Sequence, residues 1–151
     1  MLRALKGLLA GRGAEDGRPG GENERAQLEL AVTGLLLEMM RVDLEEKPEE
    51  AAAARDALAA MFGLDATAAA ALVGRAGAHR YTSYFGPVGV IKRLLGIEQR
   101  IELVEHLWRI AFADARLDPY EDHFVRKIAH LLYVSNTDAM LARQRAKGAA
   151  R

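Results

Sequence analysis

From Leu28 onward, apolar residues recur three and four positions apart, placing Leu28, Val32, Leu35, Leu36 and Met39 on one helical face. The spacing predicts a helix that opens near Glu22 and ends near Asp43. Pro48 suits the first turn of the next helix, where a missing N–H is not needed. The alanine-rich run to Met61 then sustains that helix until Gly63 stops it. Asp65 predicts a cap for a further helix through Leu72 and Val73, and residues 77–95 read as a turn followed by a helix from Pro87 or earlier.

Ile97, Ile101, Val104, Trp108 and Ala111 form another face, with Glu98, Arg100, Glu102, Glu105 and Arg109 largely off it, so Trp108 reads as a core anchor. Pro119 restarts the chain as Pro48 did, and Phe124, Ile128, Leu131 and Leu132 make the next apolar stripe. Ser135 and Asp138 resemble a capping box with Asp in place of Glu, opening a last helix to about Arg145. At the start of the chain, Leu2, Leu5, Leu8 and Leu9 have helical spacing with Arg3 and Lys6 opposite. The glycines and Pro19 that follow cannot hold a helix. The division is therefore 1–21 as an amphipathic segment and flexible linker, 22–147 as a helical domain and 148–151 as a tail.

These elements predict an all-α fold, a compact bundle of about seven helices. Composition agrees: 50% of the 151 residues are hydrophobic, but much of that share is alanine and only 6% of residues are aromatic, which favours close-packed helices over sheet. The absence of cysteine excludes disulfides and thiolate metal sites and makes a cytoplasmic location the simple expectation. Lys plus Arg and Asp plus Glu each number 21, so no global field attracts nucleic acid. No uncharged apolar run is long enough to span a bilayer. The short basic segment at residues 1–9 is marginal as a helix. Its readings are a frayed or docked tail, or a weak peripheral contact with anionic lipid.

Laying residues 36–63 over 107–134 without a gap aligns Leu36 with Leu107, Asp43 with Asp114, Pro48 with Pro119, Glu50 with Glu121 and Arg55 with Arg126. Both segments read helix, acidic break, proline, helix, which predicts an internal pseudo-twofold repeat of helix–acidic turn–helix hairpins. Asp43, Glu45, Glu46, Glu49 and Glu50 stand around the first break, and Asp114, Asp118, Glu121 and Asp122 around the second. Such oxygen-only clusters suit calcium or magnesium, although the spacing fails the EF-hand pattern. The competing reading is structural, because a carboxylate in a helix's first turn meets the helix dipole for about 0.3–1 kcal/mol.

The stretch LWRIAFADARLDPYEDHFVRKIAHLLYVS, with its weaker copy LLLEMMRVDLEEKPEEAAAARDALAAMFGL, resembles the tellurite-resistance TerB family over most of residues 24–145. The family signature is an apolar helix ending in Ala-Asp-Gly, then an apolar position, an acidic one and a Glu opening the next helix. Ala113, Asp114, Leu117, Asp118 and Glu121 match it in order. Ala115 stands where the family usually has glycine, Leu44 does so in the first copy, and Lys47 replaces the inner acid there. The resemblance implies a helical bundle, cytoplasmic in bacteria, loosely associated with stress responses, whose acids are thought to bind divalent metal. The implied site is Asp114 and Glu121 with Asp118 assisting, and Asp43 with Glu50 in the first copy.

None of the four histidines, His79, His106, His123 and His130, forms a zinc-protease pair. Glu121, Asp122 and His123 are adjacent on a helix and point in different directions, so they make no triad. The expectation is a non-enzymatic module that binds calcium or magnesium weakly and docks on a protein partner or a second copy of itself, with no nucleic-acid role. The alternatives are a metal-dependent hydrolase using Asp114, Asp118 and Glu121, and a structural scaffold whose carboxylates only cap helices.

Overall fold

The computed structural model describes residues 19–42, 47–78 and 85–149, and every regular element in them is a helix. Seven follow in order: α1 (Pro19–Arg41), α2 (Pro48–Phe62), α3 (Ala66–Ala78), α4 (Phe85–Leu94), α5 (Ile97–Ala111), α6 (Pro119–Leu131) and α7 (Asn136–Ala149). The all-α reading therefore holds. The predicted segment at residues 1–9, most of the linker, Asp43, Leu44, Glu45, Glu46 and His79 lie outside the described residues. Helix α1 opens at Pro19, slightly before the expected Glu22, and α7 continues past Arg145 to Ala149 because Ala139, Ala142 and Ala146 prolong its buried stripe.

The predicted punctuation is visible in the backbone. Gly63 ends α2 in the left-handed region at φ 67°, where its N–H reaches the Ala59 carbonyl at 2.9 Å. Asp65 Oδ1 accepts from the Ala68 N–H at 2.7 Å, and Ser135 Oγ from the Asp138 N–H at 3.1 Å, so both supply donors that helix starts leave orphaned. Helix α6 ends in a paired closure, Tyr133 N–H to His130 O at 3.1 Å and Val134 N–H to Ala129 O at 2.9 Å. This closure holds Tyr133 at φ 58°, while Val134 tucks into the core.

Leu28, Val32, Leu35, Leu36 and Met39 are all buried, and α1 packs this face against α2, α3 and α4. On the other side α5 packs against α2, α6 and α7. Trp108 anchors that half: it is fully buried, its indole Nε1–H donates to the Ala139 carbonyl at 3.1 Å, and the Arg143 guanidinium lies 5.5 Å from its ring.

Helix α5 corrects the one-face expectation. Glu102 and Glu105, expected off the apolar face, are each only 6% exposed, and His106 beside them is equally buried. A helix enclosed by neighbours on several sides has little solvent-facing surface, so its charged residues must find partners inside. Glu105 does so, accepting from Arg109 at 2.8 Å and from Arg145 of α7. Ile97, placed on the predicted apolar face, sits in the first turn and is instead 43% exposed.

Candidate acidic junction

The α5–α6 connection is built from backbone rules upward. Asp114 follows the last turn of α5, and its Oδ1 accepts from the Arg116 N–H at 3.1 Å, folding the chain back on itself. This turn requires Ala115 to adopt φ 65°, with its N–H on the Phe112 carbonyl at 3.0 Å. This left-handed conformation suits glycine best, and Ala115 adopts it at some steric cost. Asp118 is the N-cap of α6, its Oδ1 accepting from the N–H groups of Tyr120 at 2.7 Å and Glu121 at 3.2 Å. Pro119 occupies the first turn, and Glu121, two residues on, is completely buried.

Lys47, at the start of α2, meets this connection in space. Lys47 is the N-cap residue of α2, the position that Asp118 holds in α6, yet its side chain makes no capping bond. It reaches across the bundle instead, placing Nζ 3.1 Å from Asp114 Oδ2 and 3.8 Å from Glu121 Oε1. Glu50, which matches Glu121 in helical register, is likewise buried at 1% exposure. Of the residues singled out in the sequence, then, Asp114 and Glu121 converge on one point, Asp118 is committed to the helix start, Glu50 is enclosed, and Asp43 lies outside the described residues.

Electrostatics follow this geometry. Burial pushes the Asp114 carboxyl upward, but the Lys47 hydrogen bond, the Arg116 N–H and the lysine charge outweigh it and hold its pKa below the usual value. Within α5, burial dominates: it raises the Glu102 pKa, helped by the nearby Glu105 charge and opposed by Arg109. It lowers that of His106 to about 4, aided by Arg109 and opposed by Glu105. Glu102 Oε1 and His106 Nε2 stand 3.9 Å apart.

Lys47 and His106 were noted in the sequence but given no role there. Lys47 carried a signal, since it breaks the acidic register at position 47. His106 carried none beyond its place on a helix whose burial was underestimated.

Calcium and magnesium take six or more oxygens, whereas both Asp118 capping bonds go to backbone N–H groups, and Asp114 Oδ2 and Glu121 Oε1 converge on an ammonium. Among the described residues no three histidine or carboxylate side chains gather into a metal-holding group. A cleft of about 300 Å³ opens between α2, α5 and α7, where Asp56, His106 and Arg109 interrupt alanine walls, and no junction acid lines it.

What emerges is an all-α module in which α5 and α6 are joined by an acidic, proline-restarted turn. A family model described as tellurite resistance protein TerB matches residues 29–144, and the chain belongs to that family. No curated protein and no solved structure matches it. Among the described residues, no single helix is long and apolar enough to cross a membrane.

Proposed function

We propose that this chain is a non-enzymatic TerB module of a bacterial stress response, acting in the cytoplasm by docking on a protein partner. Its acidic junction takes up calcium or magnesium only weakly. The observation that carries this reading is the Lys47 ammonium on Asp114 and Glu121: the positive charge a strong metal site would supply is already provided. A hydrolytic role is disfavoured by the same contacts, because Asp118 is engaged in capping and the cleft at His106 contains none of the three acids. We further read the α1–α2 and α5–α6 units as copies of one hairpin. Pro48 and Pro119 open α2 and α6 in the same way, and Glu50 and Glu121 are buried at the same helical position.

Calorimetric titration of the full chain with calcium and with magnesium tests the cation claim. Heat is expected only at about millimolar metal, in the range of the weakest calcium-binding modules. A site saturating in the micromolar range overturns it, and so does the absence of any heat at millimolar metal.

A further inference from the structure

We infer that Lys47 is the resident cation of the junction: its ammonium stands where a divalent ion would otherwise join Asp114 and Glu121, and it ties the start of α2 to the α5–α6 connection without metal. The inference rests on the preceding reading only in taking the acidic junction as the centre of the molecule.

Three observations carry it. The first is register: Lys47 and Asp118 hold the same N-cap position of α2 and α6, and Asp118 spends its side chain on backbone N–H groups while Lys47 does not. The second is geometry, with one Nζ within 4 Å of oxygens from two acids that come from different segments. The third is enclosure. The Lys47 side chain is 17% exposed, that of Asp114 19% and that of Glu121 only 1%, so the lysine is mostly covered by the fold and does not lie free on the surface.

Two carboxylates that converge on one point repel each other, and a positive charge between them offsets that repulsion. A lysine does this with one tethered charge and modest geometric demands. A divalent ion would bring two charges but would need additional oxygens. Removing the ammonium should leave an anionic recess that recruits a cation from solution, and replacing it with an acid should make that recess more negative still.

The test is a titration of the full-length wild type and of Lys47→Asp, Lys47→Met and Lys47→Arg with calcium and with magnesium. Calorimetry and thermal melting are both read. Lys47→Asp is expected to bind one ion at least about tenfold more tightly than wild type, and its melting temperature should rise with added metal by an amount that follows the logarithm of that affinity. Lys47→Met, which retains the aliphatic stem, is expected to gain affinity to a smaller degree, and Lys47→Arg to gain none.

If Lys47→Asp is unfolded without metal, its refolding on calcium addition supports the inference and its failure to refold overturns it. Folded Lys47→Asp and Lys47→Met proteins that bind no more tightly than wild type also overturn it. A silent wild type beside a tightened Lys47→Asp removes only the claim of weak native binding and leaves the resident lysine standing.

Discussion

The Lys47 ammonium lies 3.1 Å from Asp114 Oδ2, so the residue that opens α2 also closes the turn behind α5. A contact between segments so far apart in sequence holds the two halves of the bundle at their acidic ends. Both partners are somewhat exposed, at 17% and 19%, and solvent screening reduces what the pair contributes.

A double-mutant cycle of Lys47→Met with Asp114→Asn should therefore show a coupling energy of about 1 kcal/mol in urea unfolding, shrinking as salt is added. Strict additivity of the two substitutions would mean that the contact contributes nothing to the fold. Lys47→Met should also return the Asp114 pKa toward or above the ordinary aspartate value, because burial then acts with less opposition. Carboxyl-carbon NMR titration reads this directly.

Asp118 separates capping from ligation. Asn caps a helix about as well as Asp, whereas Ala does not, so Asp118→Ala should lose about 1 kcal/mol of stability and Asp118→Asn only a few tenths. Chemical denaturation in metal-free buffer with a chelator present is the measurement. A loss in both variants that appears only with added metal would point to a ligand and away from the cap.

Ala115 offers a gain of stability. Its φ of 65° is comfortable for glycine and strained for any residue with a Cβ. Relief of that strain is partly offset by the greater freedom glycine gives the unfolded chain, so Ala115→Gly should stabilise by about 0.5–1 kcal/mol. A higher denaturation midpoint at an unchanged slope confirms it, and a lower midpoint refutes the strain.

Much of the scaffold was legible because its signals are local. Pro48, Pro119 and Gly63 act on the backbone of their own turn, and the Leu28 to Met39 stripe needs only helical periodicity to declare its buried face. The Asp118 cap was visible as an acid before a proline, but its purpose was not, since metal ligation and capping call for the same residue type. The partner of Lys47 was out of reach: register showed a lysine in an acid's position, while its meeting with Asp114 depends on how α2 packs on α5. Glu105 misled for a related reason. A helical wheel assigns charge to solvent, and α5 has too many neighbours for that to hold.

His106 gives the molecule a pH dependence whose direction can be worked out. In the unfolded chain an ordinary histidine titrates near 6.5, whereas in the fold burial, reinforced by Arg109, holds His106 neutral until about pH 4. Between these values the unfolded chain binds the extra proton, so stability from this site is complete above about pH 6.5 and drains away as pH falls toward 4. The full shift corresponds to about 3 kcal/mol as an order of magnitude. Glu102 works in the opposite sense: its raised pKa favours the folded state at low pH and that contribution fades as pH rises through the folded value, so Glu102→Gln should stabilise the protein near neutrality. Asp114 joins His106 in favouring higher pH, but its depressed pKa places the loss lower, below the ordinary aspartate range. Urea unfolding from pH 7 to pH 4 should consequently show a steep fall in wild type and a much shallower one in His106→Gln. Equal slopes in the two proteins would show that His106 is protonated in the folded state and that its enclosure by α5 and its neighbours is looser than described.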